Sequence, residues 1–436
     1  MENSEITKGL LGFLDSSPTA FHAVRSAAGI LAENGYVRLE EKDLWELEKG
    51  GKYYVTRNAS SLIAFRIPVQ GYAGFMIAAS HCDSPAFKIK EDPEIVSDGY
   101  VRLNVERYGG MLCAPWFDRP LSVAGRVIVR TDAGIETKLV DIGRDVALIP
   151  NLAIHMNRKA NEGVAYNIQK DLLPVIGSDE VKGCFMKTVA QEAGVNEKDI
   201  LGHDLFLYVR DKGTVWGLAD EYVSAPHLDD LQCTYGNLLG FISAEPGAGI
   251  PVLAVFDNEE VGSSTKQGAN STFLEDILKR IMTALGMDTQ EQLRMPASSF
   301  MVSADNAHAV HPANMDKADP VNRPQINKGI VLKYSANQKY TTDAVSAAVV
   351  RTVCEKAGVP VQVFTNRSDM IGGSTLGNIS NSHISLNTAD IGLPQLAMHS
   401  CYETAGVKDT AYLAEMMKLF FSLSVQTECD GNYTLK

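Results

Sequence analysis

The chain reads as an α/β protein: a mostly parallel sheet with helices on both faces, interrupted by an inserted, mainly β domain. Three observations predict this. After residue 225, short apolar runs of strand length alternate with segments of helical spacing, and such alternation builds parallel sheets. Between about residues 91 and 223 that alternation gives way to strand-like pieces separated by Gly-rich turns. The run Val252–Phe256 is apolar without interruption, the pattern of a strand buried on both faces. At 436 residues the chain exceeds what one core supports. The expected division is a discontinuous domain, 1–90 with 224–436, and an inserted domain, 91–223.

In chain order, Ile6–Leu14 and Thr19–Asn34 carry helical apolar spacing, with Asp15-Ser16-Ser17-Pro18 as the break between them. Leu62–Pro68 and Gly74–Ser80 are expected to form a strand pair joined by a turn at Gly71, the second ending in His81-Cys82-Asp83. Within the insert, Tyr100–Val105, Leu121–Val129, Lys138–Leu148 and Asp204–Val209 read as strands. Thr214–Leu218 is the last strand before its expected end. Afterwards come helix candidates at Leu228–Ile242, Ser271–Gly286, Ala344–Ala357 and Asp409–Leu423. Strands are expected at Val252–Phe256, Ser299–Ser303, Val331–Tyr334, Pro360–Phe364 and Ile384–Asn387.

Composition narrows the function. With 53 acidic against 40 basic residues, a net charge of -13 disfavours a nucleic-acid footprint. No stretch approaches the roughly 20 apolar residues of a membrane span, and the N-terminus lacks the basic start of a signal peptide. Seven cysteines form no CxxC pair and are odd in number, which points to reduced thiols in a cytoplasmic protein.

Chemistry concentrates where expected strands end. Val252–Phe256 runs into Asp257-Asn258-Glu259-Glu260, and on such a turn one glutamate can bind a cation while its neighbour moves protons. His81 with Asp83, Asp229, Asp305 and His399 stand at four further strand ends or sharp loops. Imidazole and carboxylate suit zinc, with cobalt or manganese also accommodated. In an extended His-x-Asp, residues i and i+2 share a side, so Asp83 would accept the second ring N–H of His81. Any one of these residues is ordinary alone; five independent placements together are specific. Cys82 alternates away from this set and reads as core. Gly372–Gly377 lacks the lysine of a phosphate loop and reads as backbone lining a substrate pocket.

The motifs SHCDSP, HLDDLQC, FDNEEVGS, SADNAHAVHP and LAMHS, in this order, resemble the aspartyl aminopeptidase family of dinuclear zinc metallopeptidases. The likeness runs from the first helices to the last and takes in WFDRPL and NLAIHMNRKANEG of the insert. It implies two zinc ions per subunit, with His81 on one, Asp229 between them, Glu260 and His399 completing one, and Asp305 joining His81 on the other. Asp230 follows directly, and the HLDD register assigns the bridge to Asp229. The resemblance makes Glu259 the general base. It implies that the insert forms a dimer contact and lends His155 to a neighbouring active site. Lys333 and Tyr340 match positions associated with an acidic substrate side chain. The implied assembly is a twelve-subunit particle acting on short peptides.

The expected activity is therefore removal of an N-terminal Asp or Glu from short peptides. Two alternatives remain open: a relative preferring neutral or basic residues, or acting as a deacylase, and a non-catalytic metal-binding assembly protein.

Overall fold

The computed structural model describes residues 3–429 and 431–436, which divide into two compact units. The first comprises residues 1–83, 213–398 and 403–436; the second comprises 84–212 and 399–402. The second unit thus begins before residue 91 and ends before 223, and it takes in a short stretch near the C-terminus. Its start is set by Ala86–Ser97, which pairs with Tyr100–Tyr108. Its end is set by Thr214–Trp216 and Tyr222–Ala225, which belong to a five-stranded sheet of the first unit.

The first unit is built on a nine-stranded sheet. Its order is Val37–Arg38, Lys52–Arg57, Ser61–Arg66, Ile250–Phe256, Phe75–His81, Phe300–Ala304, Asn387–Gly392, Ile330–Tyr334, Val361–Thr365. The four central strands from Ile250–Phe256 to Asn387–Gly392 run parallel. Ser61–Arg66 and Ile330–Tyr334 flank them antiparallel. Leu62–Pro68 and Gly74–Ser80 are therefore not a pair, contrary to the sequence expectation. Ile250–Phe256 lies between them and hydrogen-bonds to both.

Period-two alternation sends each strand's side chains to two separate cores. Ile250, Val252, Ala254 and Phe256 pack with Phe75, Ile77 and Ala79 under the amphipathic helix Phe273–Ala284. Leu253 and Val255 pack with Met76 and Ala78 under helices that include Leu228–Ser243 and Asp409–Ser422. This double coverage explains the uninterrupted apolar runs.

The second unit is a six-stranded antiparallel sheet, ordered Gly134–Asp141, Leu121–Thr131, Ile200–Val209, Ala86–Ser97, Tyr100–Tyr108, Val175–Ser178. Its core includes Phe87, Trp116, Phe117, Leu121, Leu205 and Leu207, with Phe185 and Val189 from the helix Phe185–Ala193. Among the described residues, no helix is long and apolar enough to cross a membrane.

Candidate active site

Three neighbouring parallel strands end at the same edge of the main sheet. Phe75–His81 ends on His81, Ile250–Phe256 runs into the Asp257–Glu260 turn, and Phe300–Ala304 runs into Asp305. In α/β sheets, this carboxyl edge is where ligands gather. The helix Leu228–Ser243 brings Asp229 and Asp230 to the same place through a first turn whose φ/ψ leave the helical region. The Asp229–Asp230 peptide is cis.

His81 is at the centre, 1% exposed. Its Nε2 lies 3.6 Å from Asp229 Oδ1 and 3.9 Å from Asp305 Oδ1. Its Nδ1 lies 3.1 Å from the carbonyl oxygen of Asp83 and 3.4 Å from Asp83 Oδ1. The nearer partner is thus the backbone carbonyl, followed by the Asp83 carboxylate. It accepts the backbone N–H groups of Glu259 at 3.1 Å and Glu260 at 3.2 Å. Asp83 therefore ties the histidine strand to the glutamate turn. That turn is locked from its other side: Asn258, at φ 60°, takes hydrogen bonds on Oδ1 from Thr265 and Gln267, both at 2.8 Å.

Asp230, fully buried, accepts the backbone N–H of His81 at 3.1 Å. One ligand atom each from His81, Asp230 and Asp305 fall within 4.8 Å of one another, as do atoms of His81, Glu259 and Glu260. Both aspartates of HLDD therefore approach the imidazole, and Asp229 is the one that faces its Nε2.

The carboxylates strain against each other and against burial. Burial first, then the charges of Asp305, Asp83 and Asp229, push Glu259 up to about 8. Burial and Asp229 push Glu260 well above the usual carboxylate range. Burial opposes a charge on His81, but hydrogen bonding to Asp229 and Asp83 outweighs it and raises that imidazole well above its ordinary value. Asp305 is the exception: burial raises it, but the nearby Lys333 and His81 hold it below the usual range. A divalent cation would relieve this crowding, and one imidazole amid buried carboxylates is a donor set that fits zinc.

Lys333 was expected near substrate. It is 3% exposed, with Nζ 3.4 Å from Asp305 Oδ2 and 5.4 Å from the centre of the Tyr340 ring. Burial is overcome by Asp305 and Tyr340, so the ammonium is held above its ordinary range. Tyr340 is buried beside Phe364, whose ring meets His308 edge-on. Past them opens a cleft of about 330 Å³, lined by His308, Phe364, Gly372, Gly373 and Gln395 among others.

Two predicted residues belong to the second unit. His399, at φ 65°, has Nδ1 2.6 Å from the carbonyl oxygen of Gly110. His155 is exposed on a turn. Cys82 turns its Sγ to the carbonyl oxygens of Ser60 and Phe256, at 3.2 and 3.3 Å.

A family model described as aminopeptidase I zinc metalloprotease (M18) matches residues 13–421. The chain belongs to this family. It is accordingly a zinc metallopeptidase of aminopeptidase type. This M18 chain is 48% identical over 428 residues to a probable M18 family aminopeptidase 2 of Clostridium acetobutylicum, covering 96% of this chain and 99% of that one. A chain from the cryo-EM structure of the Ape4 and Nbr1 complex superposes with a TM-score of 0.94 at 35% identity, covering 96% and 86%. A chain of the S. cerevisiae mApe1 dodecamer superposes with a TM-score of 0.85 at 29% identity, covering 96% and 97%. Family membership sets aside the alternative of a non-catalytic metal-binding assembly protein.

Proposed function

We propose that this M18 aminopeptidase uses two zinc ions to remove single N-terminal residues, preferentially Asp or Glu, from short peptides. The observation that carries the reading is the convergence of His81, Asp229, Glu259, Glu260 and Asp305 at one sheet edge, from stretches far apart in sequence. His81 and Asp305 would hold one ion, Glu260 and His399 the other, and Asp229 would serve both. The resemblance and local geometry support His399: its Nδ1 is held by Gly110, which makes Nε2 the ligating nitrogen. A bound pair of divalent ions supplies a lowered water pKa and a polarised scissile carbonyl.

The chain's own groups do the rest. Asp83 fixes the backbone of the glutamate turn, so Glu259 and Glu260 both reach the site from adjacent, anchored amides. Glu259 accepts the proton of the attacking water and returns it to the departing amine. Cations that neutralised the neighbouring aspartates would remove the part of its raised proton affinity that those charges cause. His155 of a neighbouring subunit is proposed to steady the developing oxyanion. The assembly is proposed to be a dimer formed through the second unit and, by analogy with the mApe1 dodecamer, a particle of twelve. A cytoplasmic location is part of this reading and rests on the cysteine spacing.

The test is hydrolysis of chromogenic Asp and Glu amides by the zinc-loaded protein. Turnover abolished by a chelator and restored by zinc is expected. Activity that survives complete metal removal would overturn the reading. A second reading, a preference for neutral residues, is favoured by the engagement of Lys333 with Asp305. A wild-type ranking led by Leu would support that second reading, and if Lys333→Met leaves the ranking of Asp, Leu and Lys amides unchanged, the acidic pocket at Lys333 is wrong.

A further inference from the structure

Behind the proposed ligands runs a buried chain of polar side chains that the sequence reading did not single out. Glu403, 2% exposed, is the first residue of the strand Glu403–Gly406 and pairs with Ala225, just before the HLDD turn. Its Oε2 accepts the backbone N–H of Asp229 at 2.9 Å. Its Oε1 accepts from Gln395 Nε2 at 3.4 Å. Gln395 Oε1 in turn accepts from Asn306 Nδ2 at 2.7 Å, and Asn306 adjoins Asp305. Asn306 also donates to the Leu228 carbonyl at 3.1 Å and to Gln232 Oε1 at 3.2 Å. Its own Oδ1 takes the Cys233 thiol at 3.0 Å.

The polarity of this chain is fixed. Asn306 donates to Gln395, Gln395 donates to Glu403, and Asp229 donates to Glu403 from the opposite side. Glu403 therefore has to be an acceptor on both oxygens, which only a carboxylate provides. Its charge is otherwise unwelcome, because Asp83, Asp229, Asp230, Glu259, Glu260 and Asp305 already crowd the same end of the unit. A buried carboxylate in such company is offset by cations and by charge-assisted hydrogen bonds, not by a packing gain. Packing alone does not call for it.

We infer that Glu403 is a positioning residue for the metal centre, holding the Asp229 peptide in the orientation that presents its carboxylate between the ions and, through Gln395 and Asn306, coupling it to the Asp305 strand end. The inference rests on the proposed dizinc reading. It makes a sharp demand on donors and acceptors. In Glu403→Gln the new amide can accept from Asp229 N–H only by aiming its own NH2 at the Gln395 NH2. In Gln395→Glu two carboxylates face each other. Combined, Q395E and E403Q restore these three hydrogen bonds with the charge moved one residue along: Asn306 donates to the carboxylate at position 395, which accepts from the amide NH2 at position 403, whose oxygen accepts from the Asp229 N–H.

The experiment uses the full chain, with Zn²⁺ alone titrated in competition with a chelator and the visible absorption of the Co²⁺-loaded protein recorded alongside. Each single variant should bind zinc about 10- to 100-fold more weakly and shift the cobalt bands, as loss of a supporting partner does at other metal sites. The double variant should recover both affinity and spectrum. Wild-type affinity and spectrum in E403Q would overturn the inference, as would a double variant no better than the singles. Should E403Q not fold, Glu403→Asp, which keeps the charge but withdraws it by one methylene, is judged by the same two readouts. A wild-type chain that binds no zinc would instead refute the metal-centre reading on which this one stands.

Discussion

Glu259 stands beside the proposed ligands as the proposed proton carrier. Glu259→Ala should lower kcat by about 10²- to 10⁴-fold while zinc content and melting temperature stay near wild type, because the proton carrier goes and the ligands remain. Full activity in that variant would remove Glu259 from the mechanism. The carboxylate crowding also makes a pH prediction. In the metal-free protein burial holds Glu259 at about 8 and, with the Asp83 charge, Asp257 at about 7. Both lie above the value of about 4 that carboxylates take in an unfolded chain. The folded state then keeps protons that the unfolded chain has released. The stability these groups contribute is full below about pH 4 and is lost as pH rises through 7 to 8. Calorimetry on chelator-treated protein should show the melting temperature falling across that window, and zinc should flatten the fall. A metal-free melting temperature that rises there would contradict the account.

Three strands and the glycine beside them set the site's precision at the next scale. Gly392 ends the Asn387–Gly392 strand where a Cβ would come 2.2 Å from the Asp305 carbonyl oxygen and 2.9 Å from Lys333 Cε. Gly392→Ala should displace one or both, costing about 1–3 kcal/mol as overpacking does. Zinc affinity should fall with it; unaltered affinity would mean that the Asp305 strand end tolerates movement. Much at this scale was legible in sequence. Val252–Phe256 and Gly74–Ser80 are legible because burial on both faces leaves no polar side to the pattern, and the ligand-type residues follow such strands directly. What failed was strand order, since no local signal says that Ile250–Phe256 inserts between Ser61–Arg66 and Phe75–His81. The sequence predicts a strand at Ile384–Asn387, whereas the strand is Asn387–Gly392, whose Asp390 interrupts the apolar pattern. That aspartate is fully buried and accepts hydrogen bonds from Thr341 N and Oγ1, at 2.5 and 2.6 Å. Glu403 was missed for a related reason: its meaning lies in its partners, Asp229 and Gln395, which are distant in sequence or face it only across strands. The resemblance gives Lys333 as a substrate contact, which does not anticipate its ion pair with Asp305.

The proposed particle of twelve predicts a mass of about twelve chains by light scattering, each chain being 47.3 kDa. A monomer with full turnover would exclude a contribution from a neighbour's His155. The convergence of ligands is the claim on which all else depends, and one measurement reaches it without assuming the activity. An anomalous-difference map of the zinc-loaded crystal, recorded on both sides of the zinc edge, is expected to show two peaks per chain about 3.5–4 Å apart, with Asp229 between them. A single peak, or peaks remote from His81 and Asp305, would contradict it.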